Sequence, residues 1–204
     1  MSLLFVFDMD DVLYDYDWAE RMRGLTELTG LDRDELRRRW WHDDGEWAAE
    51  AGAWSTGADY LAAFSRALGH DVSVEQWVRN RGDAMSLIPG SLDAVRRAAE
   101  LGTVSLLTNN NALTQEHLAT LAPELVAPFG EHLLTSSSYG ARKPDPVVFE
   151  RVLERYGAAA SDTFFADDLK VNVDAARSVG IDGHVFTSPE ELLRAIETFA
   201  ATRA

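Results

Sequence analysis

The sequence predicts an α/β fold: a Rossmann-like parallel sheet core, interrupted after its first strand by an all-helical insertion. Three observations carry this. Short apolar runs bounded by acids or turn residues recur at 3–7, 103–107, 132–135, 163–166 and 184–186. From Ser91 onward these runs alternate with amphipathic helical stretches, the pattern of a parallel sheet covered on both faces. Residues 15–88 break the alternation; they hold helical patterns, no strand-like run and all six tryptophans. The expected core is therefore 1–14 plus 89–204, with the helical insertion over 15–88. At 204 residues the chain has room for one domain with such an insertion, and 46% hydrophobic against 26% charged residues supports a real core.

Taken in order, run 3–7 is too short for a helix and stops at Asp8, so it reads as a buried strand. The insertion carries helical patterns at 18–28, 32–41, 58–68 and 73–85; Asp32 with Glu35 and Ser73 with Gln76 have capping-box spacing. In 91–101 the apolar residues Leu92, Val95, Ala98 and Ala99 share one helix face. Helix 146–156 follows Asp145 as N-cap, with Pro146 at its first position. Helix 171–179 stops at Gly180, and Ser188-Pro189-Glu190-Glu191 opens the last helix. Trp18 and Trp77 sit in apolar helical patterns and read as core. Trp47 and Trp54 flank Ala51-Gly52-Ala53, as core residues or as a pocket wall. Arg37, Arg38 and Arg39 point around a helix in three directions, a solvated face, and His42 reads as a surface residue.

Composition excludes whole classes of function. The net charge of −15 repels a phosphate backbone, which argues against nucleic-acid and anionic-membrane partners. A small phosphorylated ligand stays compatible if a local cation or metal offsets the field. The absence of cysteine removes disulfides, thiolate metal sites and cysteine nucleophiles. The opening MSLLFVFDMDD is short, lacks a basic leader and ends in acids, so neither a signal peptide nor a membrane span is expected. A cytoplasmic monomer or homodimer is the expectation.

Four clusters carry chemistry, each at the end of an expected strand. Asp8 and Asp10 are two apart and can face one site in extended chain. Close carboxylates repel until a proton or cation neutralises them, which fits a hard-metal site beside an attacking carboxylate, or else a solvated acidic turn. Thr108, Asn109 and Asn110 offer donors to anionic oxygens, or cap the following helix. Lys143, one of two lysines in an arginine-rich chain, stands beside a proline-fixed turn as a compact charge or a surface cation. Asp167 and Asp168 complete a four-acid set suited to Mg²⁺, with a helix cap as the plainer role for Asp168.

In this order FDMDDVL, LLTNN, RKPDP and FFADD with NVDAARSVGI resemble the four motifs of the haloacid dehalogenase-like hydrolase superfamily. The stretch 106–181 is most similar to the phosphatase-like branch with glucose-1-phosphatases and the amino-terminal domain of epoxide hydrolases, and 15–88 resembles its C1 cap. The resemblance implies Asp8 as nucleophile and Asp10 as acid/base whose carbonyl also binds Mg²⁺. It implies Thr108 and Asn109 on the phosphoryl group and Lys143 on both Asp8 and the phosphoryl oxygens. Asp168 would hold Mg²⁺ directly, and Asp167 directly or through water. The implied substrate is a small phosphorylated metabolite, with a sugar phosphate as the finer expectation. Asp11 stands where the family usually has glycine; a left-handed turn tolerates Asp better than most residues. Dehalogenases lack the counterpart of Asp10, and phosphonate cleavage needs a cap lysine that 15–142 does not contain. A phosphomutase, a 2-haloacid dehalogenase of the same superfamily, disfavoured by Asp10, and a non-catalytic binding domain are the alternatives. Cap movement would hinge near 14–17 and 88–90.

Overall fold

The computed structural model describes residues 3–203. Met1, Ser2 and Ala204, which the expected core boundaries include, lie outside the described residues. In chain order the elements are β1 (Leu3–Phe7), β2 (Tyr14–Tyr16), α1 (Trp18–Thr29), α2 (Arg33–Trp40), α3 (Glu46–Glu50), α4 (Gly57–Leu68), α5 (Val74–Asp83), β3 (Met85–Leu87), α6 (Pro89–Leu101), β4 (Gly102–Leu106), α7 (Ala112–Leu121), α8 (Pro123–Phe129), α9 (Pro146–Tyr156), β5 (Thr163–Asp167), α10 (Lys170–Ser178), β6 (Asp182–Val185) and α11 (Pro189–Ala201).

The main sheet is parallel, in the order β4-β1-β5-β6. Its side chains obey the two-residue period of a strand. Phe5, Phe7, Phe164 and Ala166 join α6, α8 and α11 in one apolar cluster; Leu4, Val6 and Phe165 join α9 and α10 in another. Burying each of the larger side chains contributes roughly 1.5–3 kcal/mol, so β1 is anchored from both faces. That fixes where its carboxyl end, and hence Asp8, sits.

Helices α1, α2, α4 and α5 build a third cluster around Trp40, Tyr60, Phe64 and Trp77, which Leu113 and Leu121 of α7 also join. The capping signals act as expected: Asp32 accepts from Glu35 N–H, and Ser73 and Gln76 form a reciprocal capping box. No helix among the described residues is long and apolar enough to cross a membrane.

Two expectations need correction. Run 132–135 is not a continuous strand: 130–132 is a 3-10 turn, Thr135 makes an isolated parallel bridge to Thr108, and Gln115 takes further backbone groups of the run. Its amide donates to Leu133 O (2.9 Å) and accepts from Thr135 N–H (2.7 Å). Residues 15–88 do contain strand: β2 and β3 pair antiparallel where the chain leaves and re-enters the sheet layer, in the register Tyr14–Leu87, Asp15–Ser86 and Tyr16–Met85. At three residues each they are too short to show alternation. The first segment expected to hinge, 14–17, is thus tied by β2 to 85–87, which immediately precedes the second at 88–90.

Candidate active site

Asp8 follows β1, Thr108 follows β4 by two residues, and Asp167 ends β5, so the parallel sheet delivers all three to its carboxyl edge. Lys143 arrives from the turn before α9. It is fully buried, and its ammonium lies 2.8 Å from Asp8 Oδ1 and 2.7 Å from Asp167 Oδ2. Burial alone would drive the Lys143 pKa down; the two carboxylates reverse this and hold it above the usual lysine value. The Asn109 side chain, expected on the phosphoryl group, lies beside the cavity and bonds the backbone of Lys143. Its amide donates to Lys143 O (2.9 Å) and accepts from Lys143 N–H (2.9 Å).

The carboxylates differ sharply. Burial pushes Asp8 well above the ordinary carboxylate range, with Lys143 pulling it down and Asp167 pushing it further up. Asp167 is buried as well, but Lys143, Asn172 and the Leu169 N–H outweigh the burial and hold it below the usual value. Asp168, raised by burial and then by Asp167 and Asp11, is pushed up to about 6. It does not cap α10; the residue at that position is Leu169, and the capping-type bond there goes to Asp167 Oδ1 (2.8 Å).

One carboxylate oxygen from each of Asp8, Asp167 and Asp168 lies within 4.8 Å of the others. Three carboxylates against one ammonium leave two formal negative charges, and no cationic side chain pairs with Asp168 among the described residues. Hard oxygen donors with a spare double charge fit a divalent cation of the magnesium kind. The Asp10 side chain is not in this set. Arg81 of α5 donates to both its oxygens at 2.7 Å, and Asn110 stands at 3.5 Å from one of them. Thr108 is buried; its Oγ1 accepts from Asn110 (2.8 Å), and its own proton meets no acceptor among the described residues. That proton is available to an anionic oxygen.

Asp11 lies in the left-handed region, φ 58°, exposed, with Oδ1 accepting from Tyr16 N–H at 3.0 Å. Its short polar side chain performs locally what the turn needs. Sequence reasoning missed Arg81 and gave Asn172 no role, while it counted Asn110 among the donors without foreseeing its bonds to Thr108 and Asp10. Asn110 and Asn172 had a signal, lying within the recognised motifs; Arg81 had none, being one arginine among many on a helix.

The family model for haloacid dehalogenase-like hydrolases matches residues 3–180. The chain belongs to that family. It is a hydrolase, 27% identical over 196 residues to Phosphatase MT3486 of Mycobacterium tuberculosis, covering 88% of this chain and 85% of the relative. The ribulose-1,5-bisphosphate 5-phosphatase of Halopiger xanaduensis is 28% identical over 214 residues, covering 94% and 87%. Among solved structures, the HAD-family enzyme BT-2542 of Bacteroides thetaiotaomicron, in complex with magnesium and inorganic phosphate, superposes with a TM-score of 0.76 at 22% identity, covering 92% of this chain and 96% of that one. This HAD hydrolase therefore has phosphatases among its relatives and shares a fold with a magnesium-bound neighbour.

Proposed function

We propose that this HAD hydrolase is a Mg²⁺-dependent phosphatase that cleaves small phosphate monoesters through an aspartyl-phosphate on Asp8. In this reading 1–14 and 89–204 form the catalytic core and 15–88 a cap over it, in a cytoplasmic protein. The observation that carries it is Lys143 bridging Asp8 and Asp167 beside Asp168. An Asp8 oxygen attacks phosphorus while the ester P–O bond breaks, and Asp10 gives its proton to the departing alkoxide. Water then attacks phosphorus as Asp10 takes a proton back, releasing phosphate and restoring Asp8. Lys143 and the Thr108 hydroxyl meet the equatorial oxygens, where phosphoryl transfer develops its charge. Asp8 and Asp168 would hold the metal, with Asp167 beside them and the Asp10 carbonyl as a further ligand; when bound, it supplies charge neutralisation between nucleophile and phosphoryl group.

For its proton work Asp10 has to exchange Arg81 for the ester oxygen. The sugar-phosphate reading rests on aromatic surface, and that surface is not Trp47 and Trp54. Trp47 is exposed at 43%, and Trp54 packs on Trp40. Tyr16, Trp18 and Trp41 line the cavity by Asp10 instead.

The test is hydrolysis of p-nitrophenyl phosphate with and without Mg²⁺, by wild type and by Asp8→Asn. Turnover that needs the metal and vanishes in the variant supports the reading; equal turnover in both proteins removes Asp8 as nucleophile.

A further inference from the structure

Between the helical segment and the sheet edge lies a cavity of about 130 Å³, reaching from Asp10 to Trp41 and Arg21. Its charged walls are unequal in how well they are paired. Glu46 receives three donors: Trp40 Nε1, Tyr60 Oη (2.7 Å) and Asn111 Nδ2 (2.7 Å). Glu50 is paired with Arg142 Nε at 2.6 Å. Arg21 has no carboxylate partner among the described residues. Its guanidinium, on a side chain only 3% exposed, donates to the neutral oxygens Asn80 Oδ1 (2.6 Å) and Trp77 O (3.3 Å), with the Trp77 ring 4.8 Å away.

Two further donors on residues lining this cavity, Arg81 Nε and Trp77 Nε1, are buried without an acceptor among the described residues. Burying a cation without a direct counter-charge, beside unpaired donors, is costly, and two neutral acceptors and the Trp77 ring offset it only in part. The deficit is of acceptors: each acid here has its donors, Asp10 taking Arg81 Nη2, whereas Arg21 has no acid and Arg81 Nε and Trp77 Nε1 have no acceptor among the described residues.

We propose that Arg21, with Arg81 beside it, forms an anion subsite for an acidic group, a carboxylate or second phosphate, on the alcohol part of the phosphate ester. This rests on the phosphatase reading and extends it to the leaving group. The acid would meet Arg21 and the free Arg81 Nε, while Arg81 Nη2 is released from Asp10 as the ester oxygen takes its place. Charged hydrogen bonds of this kind change efficiency by about tenfold or more.

The experiment compares kcat/KM within matched pairs: 3-phosphoglycerate against glycerol 3-phosphate for the carboxylate, and fructose 1,6-bisphosphate against fructose 6-phosphate for the second phosphate. p-Nitrophenyl phosphate serves as reference. Wild type is expected to prefer the acidic member of at least one pair by about tenfold or more, and the pair that shows it names the acid. Arg21→Gln should bring that ratio close to one, mainly through KM, and Arg21→Lys should keep part of it. Aryl phosphate turnover with no preference in either pair overturns the subsite, as does a preference unchanged in Arg21→Gln. Should Arg21→Gln not fold, the wild-type ratios still decide. A wild type inactive on every ester would instead overturn the phosphatase reading.

Discussion

With its ammonium held between Asp8 and Asp167, Lys143 sets the charge on the carboxylate proposed to attack. Burial works against that ionisation, so the lysine offsets a penalty the fold itself creates. Lys143→Met keeps the volume and removes the charge. It should lower kcat by about a hundred- to a thousandfold, the scale of losing one oxyanion-stabilising donor. Steady-state kinetics on p-nitrophenyl phosphate checks this, and kcat within threefold of wild type would show that the lysine is structural only. The Asn109 amide explains how the lysine is aimed: its two backbone bonds fix the chain at residue 143, a role that sequence alone assigned to substrate contact. Lys143, Thr108 and the acid pairs were legible because chemistry limits which residue types can serve there. Arg81 and Arg21 were not, because an arginine becomes informative only when its partners are known.

At the level of elements, the caps made the long helices legible. Ser73 with Gln76, Asp145 before Pro146 and Ser188 before Pro189 each left a local signature that the structure uses. What escaped was decided by partners far along the chain, as where the Gln115 side chain takes Leu133 O and Thr135 N–H and leaves a single bridge, Thr135 to Thr108, in place of a strand ladder. The five-residue α3 is another such element; it carries Glu46 and Glu50 into contact with the sheet layer through Asn111 and Arg142. Burial, against the pull of Arg142, raises Glu50 from 4.5 to about 7. Its carboxyl therefore stays protonated in the fold over a range where the unfolded chain has already released the proton. The unfolded state binds fewer protons there, so stability falls as pH rises from 4.5 towards 7, by about 3 kcal/mol at most from this group. Glu50→Gln removes that slope. Urea midpoints at about pH 5 and about pH 8 should differ less in the variant than in wild type; an identical difference in both would exclude Glu50 as the source.

Across the whole molecule, one physical arrangement does most of the work. A parallel sheet buried on both faces brings residues 8, 108 and 167 to one edge, and the turn before α9 adds residue 143. The helical segment 15–88 faces that edge through charged contacts, Arg81 to Asp10 and Arg142 to Glu50, alongside its packing on α7. The phosphatase account needs Asp8 itself to carry the phosphoryl group during turnover. Acid quenching after rapid mixing with Mg²⁺ and a phosphate ester labelled at phosphorus, followed by peptide mapping, measures this directly. The account predicts label on the peptide containing Asp8, absent without Mg²⁺ and absent in Asp8→Asn. Turnover with label on another peptide, or label retained in Asp8→Asn, would contradict it.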